Sequence, residues 1–193
     1  MGYSSPALSH DPKKAATSAE LEALPPHLVG EIIDGELIAS PRLASLHTRA
    51  ASRLGSKLDG PFDDGTGGPG GWVILDEPEL HVVGQVLVPD LAGWRRARMP
   101  QMPDVAAFEL APDWVCEVLS AGTAKVDRAQ KMRHYAAANV GHVWLVDPTA
   151  TTLEVYRLDG DGWRLVQTYA GDVTIRPEPF DAVALELGSL WRR

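Results

Sequence analysis

The chain has a single cysteine, Cys116, so no disulfide can form within it. Cys116 follows Trp114 and Val115 in an apolar run, where a small buried hydrophobe is the better reading than a reactive thiol. A fold without cross-links suits a reducing compartment. No apolar stretch approaches the roughly 20 residues needed to cross a bilayer. The opening residues, MGYSSPALSHDPKK, lack the apolar middle of a secretory signal, and Pro6 stands where a myristoylation signal takes Ser or Thr. We therefore expect a cytoplasmic protein with no membrane contact. Positive charge is also scarce: 18 Lys and Arg face 26 Asp and Glu, for a net charge of −8. Phosphate contacts need Lys and Arg, so this balance counts against tight nucleic-acid binding, although it leaves room for a local basic groove. P-loop, Cys/His zinc and nucleophile-elbow patterns are all missing.

What is present is enough for one domain. At 193 residues and 45% hydrophobic, the chain can bury a proper core. Residues 1–20 are polar and aperiodic and read as a flexible N-terminal arm, with 21–193 forming the domain. Asp34-Gly35 between two short apolar arms is the strongest two-residue hairpin signal. From Pro41 to Leu58 the period turns helical, with Leu43, Leu46, Ala50, Leu54 and Leu58 on one face. Arg49, Arg53 and Lys57 recur every four residues on its flank, either as a solvated stripe or as phosphate contacts. Asp59–Gly71 is Gly- and Pro-rich and reads as a loop. Strands are expected at Trp72–Leu75, Glu79–Val83, Val86–Trp94, Trp114–Leu119 and His142–Val146. The hairpin Leu153–Leu158/Trp163–Tyr169 adds strands near the C-terminus, and Val183–Trp191 closes the chain. A helix is expected from Lys125 to Asn139, capped by Asn139 and Gly141. The pattern predicts an α+β fold with a mixed sheet.

Two carboxylates interrupt apolar strands. Glu117 breaks the run Trp-Val-Cys-Glu-Val-Leu, which reads as a central strand covered on both faces. Asp90 breaks Val-Leu-Val-Pro-Asp-Leu-Ala. A buried carboxylate costs several kcal/mol unless it is paired, protonated or metal-bound. Two on neighbouring strands suggest a shared partner, and hard oxygen ligands favour Mg²⁺ or Mn²⁺. Capping a turn or pairing with an arginine such as Arg95 is the bland alternative. A nearby cation would stabilise charge on a phosphate, and the following helix offers Lys125 and Lys131. Lys131 lies one turn after Asp127, so a surface ion pair is its structural alternative. His47 falls on the apolar face of its helix and reads first as a satisfied core histidine. Glu31 is either a third acid or an exposed hairpin residue.

Several segments occur together in a telling order: Glu31-Ile-Ile-Asp-Gly-Glu-Leu, a helix bearing His47, Val88-Pro89-Asp90, and Glu117-Val118-Leu119-Ser120. They are followed by Asp127…Lys131…Tyr135 and by His142-Val143-Trp144-Leu145-Val146-Asp147-Pro148. This set resembles the Uma2 family, a restriction-endonuclease-like group similar to PD-(D/E)XK nucleases, over residues 28–170. The resemblance implies an α/β/α-like arrangement, a mixed central sheet flanked by helices, with extra C-terminal strands. It also implies a Mg²⁺-dependent endonuclease acting on DNA. Pro89-Asp90 would match the "PD" and Glu117 the "D/E", with Asp90 and Glu117 as metal ligands. The nuclease motif wants lysine two residues after the acid, where this chain has Leu119. The resemblance implies that the lysine has moved to the next helix, at Lys131. Arg49, Arg53, Lys57, Arg95, Arg96 and Arg98 would then be candidate phosphate contacts. A homodimer cutting both strands follows by analogy. The alternative is a catalytically inactive module that keeps the nuclease fold to bind protein or nucleic acid.

Overall fold

The computed structural model of the chain describes residues 14–41 and 45–192. Thr17 caps a short helix, α1 (Ser18–Glu22), through a capping box in which its hydroxyl accepts from Glu20 N and the Glu20 carboxylate accepts from Thr17 N. Part of the expected arm is therefore helical, while residues 1–13 lie outside the described residues. Asp34 and Gly35 both adopt positive φ, 54° and 75°, and join β1 (Leu28–Ile33) to β2 (Glu36–Pro41). That is the turn an Asp-Gly pair favours, because its twist matches the flanking strands. Helix α2 (Ser45–Leu58) starts later than the periodicity suggested, since Pro41 ends β2; Leu43 lies outside the described residues. Its buried face carries His47, Ala50, Leu54 and Leu58.

Two expectations needed correction. Asp59–Asp64 is not loop but a π-helical turn that continues α2. Pro61 has no N–H to give an ordinary ladder, and Phe62 packs into the core with its ring 4.7 Å from that of Phe180. The strand expected over Val86–Trp94 is two strands in different sheets. After β3 (Trp72–Asp76) and β4 (Leu80–Val82) come β5 (Gln85–Leu87) and β6 (Leu91–Arg95), separated by Val88-Pro89-Asp90. Pro89 cannot donate to a ladder, so the chain leaves one sheet there and enters the other.

An irregular connection leads to β7 (Trp114–Val118). The following helical stretch comprises α3 (Ala124–Val126), a π turn (Asp127–Lys131) and α4 (Met132–Ala137), and Asn139 at φ 58° ends it as expected. Then come β8 (His142–Asp147), β9 (Thr152–Asp159), β10 (Gly162–Ala170), β11 (Thr174–Ile175), β12 (Leu185–Glu186) and α5 (Gly188–Trp191).

The main sheet has the order β10-β9-β8-β7-β6-β3, and a smaller sheet has the order β2-β1-β5-β4. Within the main sheet β7 and β8 are parallel, linked by the α3–α4 crossover, and the other neighbours are antiparallel. Strand alternation sorts the core into two layers. Trp72, Trp114, Cys116, Val118 and Trp144 meet α2 and the C-terminal segment on one face. Val73, Trp94, Val115, Val143 and Leu145 meet Tyr135, Ile33 and Leu87 on the other. Both faces of β7 and β8 are covered, which is why their sequences are almost unbroken apolar runs. The expected α+β architecture is present: a mixed sheet with helices on both faces and extra strands toward the C-terminus.

Candidate active site

Glu117 is placed by strand alternation. Cys116 and Val118 face α2, so Glu117 points the other way, toward the helical stretch, with 2% of its surface exposed. Asp90 is not inside a strand but sits at the break just before β6. The register Leu91↔Cys116 brings it alongside Glu117. Its Oδ2 accepts a 2.6 Å hydrogen bond from Val118 N, replacing the carbonyl the ladder would have supplied. Its Oδ1 is 3.2 Å from His47 Nε2. The histidine read as a core residue is indeed buried, but its ring faces an acid of the cavity.

Lys131 is 2% exposed and Asp127 3%, so the expected surface pair is instead buried, at 3.7 Å. Lys131 Nζ lies 2.8 Å from Glu117 Oε1 and 2.9 Å from Glu31 Oε1, and it donates to Val88 O at 3.2 Å. Glu31 Oε1 also accepts from Val88 N at 2.8 Å, so the hairpin acid joins the cluster. Tyr135, fully buried, donates its hydroxyl to Glu117 Oε1. Leu119, where the nuclease motif puts lysine, is buried in the apolar core. Lys125 is exposed and makes none of these contacts.

Sequence reasoning assigned no site role to Asp127 or Tyr135. The signal was their spacing from Lys131, four residues on either side. In an ordinary helix four residues overshoot a full turn by about 40°, so three such residues drift around the axis. The π turn between Asp127 and Lys131 rotates less per residue and cancels that drift.

Glu31, His47, Asp90, Glu117, Asp127 and Lys131 line one cavity of about 80 Å³ whose remaining wall includes Val29, Ile38, Val88 and Val126. Five carboxyl groups, Glu77 included, thus line one cavity with a single lysine. Burial pushes the Glu117 carboxyl well above the usual carboxylate range; Lys131 opposes the shift, and Asp127, Asp90 and Glu31 add to it. Asp127 is raised as well, chiefly by burial. Burial works against the Lys131 charge, but Glu117, Tyr135, Glu31 and Asp127 outweigh it and keep the ammonium protonated far above neutrality.

This donor set fits a hard divalent ion. Among the described residues no three His, Cys, Asp or Glu side chains gather closely enough to cage a metal unaided. Magnesium does not require such a cage, since it is commonly held by one or two carboxylates with water and substrate phosphate. A cavity of this size takes several waters at about 10–15 Å³ each.

The arginines expected at phosphates are committed elsewhere. Arg49 Nε donates to Arg192 O and Arg53 to Ser189 O, where they satisfy carbonyls at and just beyond α5. Arg95 lies over the Trp72 ring at 4.4 Å. Arg96 pairs with Asp63, and Arg98 with Asp113 at 3.0 Å. Lys57 is half-buried and borders a different, smaller cavity beside Phe62 and Phe180.

No helix among the described residues is long and apolar enough to cross a membrane. No curated protein matches the chain. A solved structure described as "a putative nuclease belonging to DUF820" from Anabaena variabilis superposes with a TM-score of 0.74 at 22% identity, covering 91% of this chain and 97% of that one. That likeness establishes a shared fold. The family model for Uma2, described as "Putative restriction endonuclease", matches residues 18–188, a span that holds every residue of the cavity. The chain accordingly belongs to the Uma2 family.

Proposed function

We propose that the protein is a divalent-metal-dependent endonuclease that hydrolyses DNA phosphodiester bonds, with Asp90 and Glu117 holding Mg²⁺ or Mn²⁺ and Lys131 serving the reacting phosphate. The observation that carries this reading is the charge imbalance of the cavity. Glu31, Asp90, Glu117 and Asp127 surround Lys131 as the one full cation among the lining residues. Such a cluster is costly unless protons or a cation offset it. A divalent ion bound there would polarise the phosphate and make a water molecule more acidic. The residues of the chain do the remaining work. His47 and Val118 N fix the two oxygens of Asp90. Glu31, Glu117 and Val88 O hold the Lys131 ammonium, whose positive charge would stabilise the phosphate oxygens as charge builds on them. The attacking water forms the new oxygen–phosphorus bond while the bond from phosphorus to the departing sugar oxygen breaks, and the proton the water gives up ends, through solvent, on that oxygen.

A second reading, a nuclease-fold binding module, draws support from the committed arginines and the net charge of −8. Supercoiled plasmid incubated with Mg²⁺ or Mn²⁺ separates the two. We expect nicking that is abolished by EDTA and by Glu117→Ala. Cleavage retained in Glu117→Ala would overturn the mechanism. Absence of cleavage together with no calorimetric metal binding would favour the module.

A further inference from the structure

Tyr135 stands behind Glu117, outside the residues that line the cavity, and its hydroxyl cannot touch a substrate there. It donates to Glu117 Oε1, the same oxygen that meets Lys131 Nζ at 2.8 Å. Two donors on Oε1 leave Oε2 as the oxygen of Glu117 that can face Asp90 across the β6–β7 register. We propose that Tyr135 is a positioning residue of this site: by occupying Glu117 Oε1 it turns Oε2, together with Asp90, toward a hard divalent cation. The proposal rests on the metal-dependent reading above.

The local fold serves this placement. Glu117 is rigid in backbone because β7 is hydrogen-bonded on both sides, by β6 and β8. Its carboxyl can still rotate about the side-chain torsions, so something must select one orientation. Tyr135 does so from α4, and the π turn just before α4 keeps Tyr135 in line with Lys131 and Asp127. Both donors thus approach Glu117 from one helical face. A hydrogen bond that only satisfied a buried acid would matter for folding and not for the affinity of a cation on the far oxygen. Outer partners that orient a ligand typically change metal affinity about 10–100-fold when removed.

The test is calorimetric titration of the full chain with Mn²⁺. Tyr135→Phe keeps the ring and removes only the donor. We expect Mn²⁺ affinity to fall about 10–100-fold in that variant. A control, Tyr156→Phe, removes a hydroxyl that donates to Glu154 away from the cavity and should leave affinity unchanged. Glu117→Gln should abolish binding. Should Tyr135→Phe bind Mn²⁺ as the parent does while Glu117→Gln does not, the positioning role is overturned and the metal reading stands. A parent protein that binds no Mn²⁺ removes both. Near-UV difference spectra of the unsubstituted protein give a check that does not depend on the variant folding: Mn²⁺ should perturb tyrosine absorption, and a flat tyrosine spectrum at saturating Mn²⁺ would overturn the proposal.

Discussion

A carboxylate with 2% exposure, sharing its cavity with four further acids and one lysine, must be neutralised by a proton, by Lys131 or by a metal ion. The consequence for pH follows from the direction of its shift. Glu117 has a folded-state affinity for protons above that of the unfolded chain, mainly through burial. Its contribution to stability is therefore complete below the ordinary glutamate value of about 4.3 and is lost as pH rises through its raised folded value. In EDTA, urea unfolding should show the protein losing stability over that rise. Glu117→Gln, which has no such proton to lose, should flatten the profile and be the more stable of the two at pH 8. His142 acts with the opposite sign, because burial depresses its proton affinity and stability falls on acidification below about 6.5. The difference between parent and Glu117→Gln isolates the carboxylate, and identical profiles would contradict the assignment. At this scale the identities of Asp90, Glu117 and Lys131 were legible, since charges in apolar or family-matched positions stand out. Glu31 and His47 were not, because hairpin exposure and a helix face look alike whichever side is covered.

Among the elements, β6 and the helical stretch show how backbone geometry makes the site. Gly93 in β6 lies between Trp114 and Trp72; a Cβ there would come 3.2 and 3.3 Å from their ring carbons. Both rings are buried within the same aromatic cluster as Phe180, so neither can retreat freely. Gly93→Ala should cost about 1–3 kcal/mol by overpacking, read as a lower urea midpoint. An unchanged midpoint would mean that this layer is looser than its contacts indicate. The split at Val88-Pro89-Asp90 was hidden in the sequence, because an apolar run of nine residues satisfies the strand pattern in one sheet or in two. The Asp59–Asp64 turn was hidden for a related reason: Gly and Pro signal a loop, and only the docking of Phe62 on Phe180 shows the chain still winding.

For the molecule as a whole, charge decides how DNA would be held. With a net charge of −8 and five of the six candidate cations engaged within the fold, few phosphate contacts can form from the described surface. Each phosphate contact adds about 0.9 to the salt slope, so log affinity against log salt should fall with a slope no steeper than about −3. The double variant Arg49→Ala/Arg53→Ala should leave DNA affinity within about twofold while lowering stability by roughly 0.5–1.5 kcal/mol per lost hydrogen bond. A large loss of affinity at unchanged stability would return those arginines to a phosphate-binding role.

The sequence by itself determined the α+β class, the two tight hairpins, the buried central strands and the acid, Glu117, that does not belong in one. Each of these rests on local information: a turn dipeptide, a period of 2 or 3.6, or a charge in an apolar run. The tertiary structure alone decided that Lys131 is buried against Glu117, that Glu31 and His47 complete the cavity and that Tyr135 braces it. It also showed that the arginine stripe of α2 binds the chain end. Those contacts join residues up to 143 positions apart, from Arg49 to Arg192, and their pairing depends on which sheet faces which helix. No local pattern carries that information, because a side chain at a given period shows only which way it points and not what waits on the other side.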